Sequence, residues 1–338
     1  MTTEPLRIGL LGVGRMGSDH AARIAGRVSG ARLVAVSDPA TDRARELAAG
    51  FDGVRAVDDA IELISSDEVD AVLIASPGFA HEEQVLACIE HGKPVLCEKP
   101  LTMDGDSSLR VVEMEAKAGR PLVQVGFMRR FDPEYAELKR LLDSGELGRM
   151  LLLHNTHRNK DTHPGFESEM IVRDSLVHEV DVTRWLFGEE ITQIQVIAPT
   201  PTNLAPDGVL DPQVALFTMA GGGIATTEVF VNTGIGYEVR CEAVGERGNA
   251  TIGLGSGPLL RQANRAGTAI PGDFRDRFAT AYDIEVRSWV DACHRGEVVG
   301  PTAWDGYAAA VVCAAGVESL STGRPASVEL APRPTLST

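Results

Sequence analysis

Two ionisable side chains in a predicted helix could transfer a proton. Asp174 and His178 stand four residues apart in a stretch, residues 170–187, that is predicted to form one long helix. That spacing places both side chains on one helix face. A carboxylate beside an imidazole orients the ring, and an imidazole is suited to taking a proton from an alcohol near neutral pH. Taken alone, the pair is read more readily as a helix carboxylate and a packing histidine with no catalytic role.

A lysine in the first part of the chain is the next candidate. Lys99 lies in the sequence Glu98-Lys99-Pro100, directly after a short apolar run that is predicted to be the fifth strand. Ligands of open parallel sheets bind at the carboxyl ends of the strands, and Pro100 would hold the backbone there, for instance through a cis bond. An ammonium at this edge could hold a reacting hydroxyl and ease its deprotonation. The alternative is a surface lysine before a turn.

A glycine pattern predicts a dinucleotide site. The segment 12–17 reads Gly-Val-Gly-Arg-Met-Gly; it follows the predicted strand Leu6–Leu11 and opens a helix. In such a pattern Gly12 permits the tight turn, Gly14 lets a pyrophosphate approach the backbone, and Gly17 lets helix and strand pack closely. The phosphates then meet free N–H groups at the positive end of the helix. A methyltransferase could bind its nucleoside cofactor with the same pattern, and Lys99 favours the dehydrogenase.

An acidic residue indicates which dinucleotide is bound. Asp38 ends the second predicted strand, about 20 residues beyond the last glycine, where a carboxylate accepts hydrogen bonds from the adenosine ribose. It would also repel a 2′-phosphate, so NAD is expected rather than NADP. Arg43, a full helical turn further along, is not expected to clamp a phosphate.

These residues require a frame of strands and helices. Up to Phe127 short apolar strands alternate with helices, which predicts βαβ units and a parallel, doubly wound Rossmann sheet. Beyond it strand-like runs follow one another with glycine turns between them, which predicts an α/β domain with an open, mostly antiparallel sheet. We therefore expect an NAD-binding domain over residues 1–127 and a substrate-binding and oligomerisation domain over residues 128–338.

Composition excludes several classes of protein. A net charge of −16 with five lysines argues against nucleic-acid binding, and the chain has no long apolar run that would predict a membrane span. The five cysteines are scattered and the histidines lack ligand spacing, so neither disulfides nor a metal are expected. The polar start, Met1 to Pro5, does not resemble a signal peptide, and a cytoplasmic location is expected.

The motifs together resemble those of one family. The chain is similar to the glucose–fructose oxidoreductase/inositol dehydrogenase (Gfo/Idh/MocA) family from the first predicted strand to the penultimate helix. The lysine motif marks the superfamily, and residues 127–130 and 300–307 mark its inositol branch more narrowly. The segments that carry the resemblance are residues 12–17, 98–100, 124–130, 156–159, 174–181, 236–242 and 300–307.

The resemblance implies an activity and a set of site residues. It implies NAD-dependent oxidation of a secondary hydroxyl of a cyclic polyol such as myo-inositol, with Lys99, Asp174 and His178 as the catalytic group. His178 would be the base in oxidation and the acid in reduction. The same three residues would bind the polyol together with Arg129, His157, Asn159 and Tyr237. Cofactor contacts would come from Gly12, Gly14, Arg15, Met16, Gly17, Asp38, Ser76, Pro77, His81, Glu98 and Lys99.

One departure and two alternatives remain. The family has an asparagine between the proline and histidine of the nicotinamide-side loop, whereas Gly78-Phe79-Ala80 stand between Pro77 and His81 here. Another sugar or aldose dehydrogenase of the same family is one alternative, and a non-catalytic NAD-binding regulator is the other. Because family members bury an apolar sheet face, a homo-oligomer, either a dimer or a tetramer, is expected.

Overall fold

The computed structural model describes residues 4–255 and 259–335 and divides into two compact units. The first contains the described residues of Met1–Met128, Ala281–Ala310 and Ala331–Thr338; the second contains those of Arg129–Thr280 and Val311–Leu330. Residues 1–3, 256–258 and 336–338 lie outside the described residues, so the start of the predicted domain 1–127 and the end of the predicted domain 128–338 are not described. Within the described part of the chain, no helix is both long and apolar enough to cross a membrane.

The first unit is built on a parallel sheet, as predicted, and this sheet has six strands. Its order is β3-β2-β1-β4-β5-β6, and every neighbouring pair is parallel. The order reverses between β1 and β4, which opens a crevice at the carboxyl edge. Sequence reasoning missed β3, which has two residues. The strands are β1 (Leu6–Leu11), β2 (Ala31–Ser37), β3 (Arg55–Ala56), β4 (Ala71–Ile74), β5 (Val95–Glu98) and β6 (Val123–Gly126).

Helices cover this sheet because each carries an apolar stripe. The side chains of β1, β4 and β5 are buried almost throughout, as expected for central parallel strands. Asp104 caps the helix that follows β5 by accepting from the backbone N–H of Ser107. The helices of this part are α1 (Arg15–Gly26), α2 (Thr41–Ala49), α3 (Ala60–Ser65), α4 (His81–Glu90) and α5 (Gly105–Ala118).

The second unit contains a seven-stranded mixed sheet in the order β12-β11-β7-β10-β9-β8-β15. Only the β7–β10 pair is parallel among its described neighbours, so the prediction of a mostly antiparallel sheet is confirmed. The elements from residue 133 onward are α6 (Pro133–Asp143), β7 (Met150–Arg158), α7 (Ser168–Met170), α8 (Val177–Phe187), β8 (Ile191–Ile197), β9 (Gln213–Met219), β10 (Ile224–Phe230), β11 (Glu238–Gly245), β12 (Gly248–Ile252), β13 (Leu260–Gln262), β14 (Arg265–Gly267), α9 (Phe274–Arg295), α10 (Ala303–Thr322) and β15 (Ala326–Ser327). Residues 281–295 of α9 and 303–310 of α10 belong to the first unit.

The long helix predicted over residues 170–187 is not a uniform α-helix. Residues Ile171–Leu176 form a π-helical segment between α7 and α8, which periodicity in the sequence does not reveal. Asp174 lies in that segment and His178 in the first turn of α8, so the four-residue spacing does not act through regular α geometry. The predicted end of the helix is confirmed, because Gly188 caps α8 with a φ of 69°.

Candidate active site

The glycine turn after β1 has the geometry that a dinucleotide requires. Gly12 has a φ of 84°, and a Cβ there would come within 2.5 Å of the Ser76 backbone nitrogen. A Cβ on Gly17 would lie 1.9 Å from the Gly12 carbonyl oxygen, so helix and turn can pack only if this residue is glycine. A Cβ on Gly14 would meet no atom within 4 Å, so this side of the turn is open toward the surroundings. Gly12 and Gly17 therefore stand where the local packing requires glycine, and the contact of Gly14 with a pyrophosphate stays a prediction.

The start of α1 leaves its backbone donors available. Gly14 is the N-cap residue and makes no side-chain cap, and no acidic side chain stands in the first turn of this helix. The first N–H groups of an α-helix have no partner within the helix, and here they belong to Arg15, Met16 and Gly17. This terminus carries the positive end of the helix dipole. The residues fit the pyrophosphate of a dinucleotide.

Asp38 is positioned beside this turn. Its carboxylate accepts from the backbone N–H groups of Val13 at 2.9 Å and Ala40 at 2.8 Å. The Arg43 guanidinium donates to the same carboxylate at 2.9 Å. Arg43 therefore reaches this site, although its place in the sequence predicted no role for it here. Burial opposes ionisation, but these three donors outweigh it and lower the pKa of Asp38. The carboxylate is therefore charged at neutral pH and fits ribose hydroxyls.

Two loops at the carboxyl edge of the sheet are joined by His81. Its Nδ1 lies 2.7 Å from the Pro100 carbonyl oxygen and its Nε2 lies 2.8 Å from the Ser76 carbonyl oxygen. Burial lowers the pKa of His81 despite these acceptors. The neutral ring has one N–H and donates to one of the two carbonyl oxygens, and it lies between the Ser76-Pro77 turn and the segment after Lys99. Lys99 itself is half-buried, and the peptide between it and Pro100 is cis.

The second unit places the helix residues in different surroundings. His178 is buried, whereas Asp174 is exposed on the π-helical segment. The His178 ring lies near that of His157, with centroids 6.3 Å apart, and the centroid of the Tyr237 ring lies 5.7 Å from that of His157. Three of the predicted substrate-site residues are thus neighbours, and the catalytic roles of Asp174 and His178 remain predictions.

A buried ion pair lies beside these rings. The Arg129 guanidinium, 1% exposed, is paired with the Glu179 carboxylate, which is fully buried. The other Glu179 oxygen lies 3.1 Å from His157 Nδ1. Burial disfavours both charges, but each partner stabilises the other, so the pKa of Arg129 is raised and that of Glu179 is lowered. Arg129, expected to bind substrate, therefore also anchors Glu179.

Sequence reasoning missed the buried acids of α8. Glu179 and Asp181 resemble solvated helix carboxylates in the sequence, yet both have no exposed surface. Asp181 pairs with Arg130, as Glu179 pairs with Arg129. The available signal was the doublet of adjacent arginines, matched by two acids in a helix that is otherwise apolar on most sides. Such charges are rarely buried unless they are paired.

Asn159 presents a polar atom that suits a hydroxylated ligand. Its backbone is held at the end of β7, where its N–H donates to the Phe230 carbonyl and its carbonyl accepts from Thr233. The side-chain oxygen is buried and has no hydrogen-bond partner among the described residues. A buried acceptor without a partner is costly, and a ligand hydroxyl would satisfy it.

The parallel sheet of the first unit and the glycine turn after β1 define an NAD-binding oxidoreductase. Residues 6–127 match the family described as an oxidoreductase family with an NAD-binding Rossmann fold, and residues 135–251 match the Gfo/Idh/MocA C-terminal domain. The chain belongs to the Gfo/Idh/MocA oxidoreductase family, as its motifs indicated, and NAD is its cofactor.

Relatives with established names match nearly the whole chain. The inositol 2-dehydrogenase of Mycolicibacterium gilvum is 56% identical over 329 residues, which is 96% of this chain and 94% of the relative. That of Mycolicibacterium smegmatis is 54% identical over 337 residues, 97% of each chain. Among solved structures, the myo-inositol dehydrogenase of Lactobacillus casei, in complex with NAD(H) and myo-inositol, is 34% identical. Its TM-score is 0.95, and the match covers 98% of this chain and 99% of that one.

Proposed function

We propose that this protein is an inositol 2-dehydrogenase that oxidises one secondary hydroxyl of myo-inositol with NAD. The observation that carries the proposal is the match over 98% of the chain to a structure solved with NAD(H) and myo-inositol. The open glycine turn and the charged Asp38 support the cofactor, and the relatives at more than 50% identity support the substrate.

The chemistry requires two species to leave the alcohol together. Bound NAD would supply the acceptor for the hydride on the carbon that carries the hydroxyl. His178 takes the hydroxyl proton, so a neutral ketone forms and not a protonated carbonyl. Lys99 is the second proposed catalytic residue, because an ammonium stabilises the negative charge that develops on a reacting oxygen. Asp174 favours the imidazolium form of His178. Reduction reverses these roles, with His178 as the acid.

The remaining ring hydroxyls need several donors and acceptors. The unpartnered Asn159 side-chain oxygen is a suitable acceptor, and the His157 and Tyr237 side chains supply further polar atoms. Arg129 contributes by orienting Glu179 and His157 within the buried cluster as well as by direct contact. A polyol that offers hydroxyls in a fixed ring geometry would satisfy such a set better than a linear one.

The protein is further proposed to act as a homo-oligomer, either a dimer or a tetramer, in myo-inositol catabolism in the cytoplasm. One face of the mixed sheet exposes Leu152, Leu216 and Ile224, each 36–39% exposed, and a second copy would cover this face. All five cysteines are free, which suits a reducing compartment. Light scattering during size-exclusion chromatography would measure the mass of the protein in solution. A monomer at working concentrations would refute the proposed oligomer.

A polyol panel tests the activity. The purified protein is incubated with NAD and each of myo-inositol, scyllo-inositol, glucose and sorbitol, and NADH is followed by its absorbance. We expect the highest kcat/KM with myo-inositol. Glucose as the best substrate would identify a sugar dehydrogenase, and NAD binding without turnover on any arm would identify a non-catalytic NAD-binding protein. The His178→Ala variant serves as the low-activity reference.

A further inference from the structure

A buried polar chain in the first unit ends at the residue before Lys99. His20, on α1, is 1% exposed, and its Nε2 lies 2.8 Å from Glu98 Oε1. Its Nδ1 lies 3.3 Å from Arg23 NH1. A guanidinium can only donate, so Nδ1 accepts and the ring carries its hydrogen on Nε2. Arg23 thereby makes His20 a donor to the Glu98 carboxylate.

Arg23 is itself fixed on several sides. Its Nε donates to Asp283 at 2.7 Å and its NH2 group lies 2.9 Å from Asp19. The guanidinium lies over the Tyr282 ring, 5.3 Å from its centre, and the His20 ring makes a T-shaped contact with the same ring. Burying these charged and polar side chains costs solvation free energy, whereas burying apolar side chains in the same place would not. A role beyond packing would account for that cost.

The space around Glu98 is shaped for its carboxylate. Gly126 pairs with Glu98 in neighbouring parallel strands, and a Cβ at that position would lie 3.1 Å from Glu98 Oε2. A side chain on the neighbouring strand would therefore crowd the carboxylate. One carboxylate oxygen of Glu98 is held by His20, and Gly126 leaves space beside the other. The carboxylate therefore has a defined position at the end of β5.

The strand order tells which part of the cofactor lies near this edge. Asp38 follows β2 and marks the adenosine side, and the glycine turn after β1 marks the pyrophosphate. A dinucleotide binds across the crevice where the order reverses, so its nicotinamide half extends toward β4, β5 and β6. Glu98 is at that side, one residue before Lys99. The nicotinamide ring is positively charged in NAD⁺ and neutral in NADH.

We propose that His20, oriented by Arg23, is a positioning residue that holds the Glu98 carboxylate at the nicotinamide end of the cofactor site. The negative charge then favours the oxidised over the reduced cofactor. The inference rests on the proposed function for the cofactor only and not for the polyol. A carboxylate that is free to turn would place its charge less consistently, and the preference for NAD⁺ would weaken.

Equilibrium titration of NAD⁺ and of NADH gives the ratio of the two dissociation constants without turnover. Glu98→Gln keeps the shape and removes the charge; we expect the ratio Kd(NAD⁺)/Kd(NADH) to rise about tenfold, the effect of a unit charge within roughly 12 Å at an effective dielectric constant of about 20. His20→Phe keeps a ring against Tyr282 but removes the donor. We expect the same ratio to rise about threefold in this variant, because the charge of Glu98 remains and only its position is loosened. The double variant should match Glu98→Gln alone.

Two further variants separate positioning from packing. His20→Gln retains a donor for Glu98 and an acceptor for Arg23, so it should restore the wild-type ratio. His91→Phe makes the same substitution at an exposed histidine of this unit and should change nothing. Should His20→Phe fail to fold, His20→Asn, which is too short to reach Glu98, takes its place.

The other results separate failure of this inference from failure of the proposed function. An unchanged ratio in folded His20→Phe, or equal weakening of both cofactor forms, would assign His20 to packing alone. An unchanged ratio in Glu98→Gln would remove the charge effect. A wild-type protein that binds neither NAD⁺ nor NADH would refute the cofactor assignment as well. Normal binding with no polyol turnover would refute the proposed substrate and leave this inference supported.

Discussion

Replacing Asp38 by serine should shift the preference from NAD toward NADP. Asp38 carries the charge that suits ribose hydroxyls and repels a 2′-phosphate, and its lowered pKa keeps it ionised throughout the neutral range. Charge-assisted hydrogen bonds contribute about 1.5–3 kcal/mol, so kcat/KM for NAD should fall about 10- to 150-fold. The Val13 N–H also loses an acceptor, so thermal unfolding must be measured alongside.

The gain with NADP depends on Arg43. In the wild type its guanidinium is held by Asp38 at 2.9 Å, and the Asp38→Ser change releases it beside the site of the 2′-phosphate. Arginine binds phosphate strongly, so kcat/KM for NADP should rise roughly tenfold, the effect of about 1.4 kcal/mol. In Asp38→Ser/Arg43→Ala the NAD loss should persist and the NADP gain should disappear.

The assay is initial-rate kinetics with each cofactor at saturating polyol, for the wild type and both variants. Wild-type protein that uses NADP as efficiently as NAD would refute this interpretation of Asp38. A folded Asp38→Ser protein with unchanged NAD kinetics would refute it too. An NADP gain that survives removal of Arg43 would mean that loss of repulsion alone explains the shift.

The remaining predictions concern catalysis and acid stability. Lys99→Ala should keep NAD binding, measured by titration, and lose most turnover; near-wild-type turnover would make it a surface lysine. His178→Ala should lower kcat about 10²–10⁴-fold and flatten the alkaline-rising limb of the pH–rate profile, with Asp174→Asn less impaired. If that limb is unchanged in His178→Ala, the base is Lys99. Glu179, whose pKa is below its ordinary value of 4.5, contributes stability above that pH that is lost as the pH falls through the lowered pKa. Glu179→Gln should therefore lower the free energy of unfolding at pH 7 by about 3–5 kcal/mol. In denaturant titrations its free energy of unfolding should also fall less steeply between pH 5 and 3 than that of the wild type, whereas Glu137→Gln, at an exposed ion pair, should behave as wild type. An equally steep fall in Glu179→Gln would contradict this reasoning.

Some features follow from local sequence because their physical cause is local. The strand Leu6–Leu11, the glycine turn and the start of a helix after it could be read from apolar runs and from residues without a Cβ. The capping glycine Gly188 was predictable for the same reason. The π-helical segment around Asp174 was not, because this stretch and α8 are buried on most sides and have no narrow apolar stripe in which a shift of helical phase would show.

The sequence by itself determined the alternation of elements, the cofactor turn and the acid at the end of β2, because each depends on neighbours within a few residues. Only the tertiary structure decided which charges are buried and with whom. Glu179 meets Arg129 from 50 positions away, and His20 meets Glu98 from 78 positions away. A carboxylate that looks solvated in a sequence can ionise inside a protein only when a distant part of the chain supplies its partner. That pairing is a property of the packed elements, which no local pattern records.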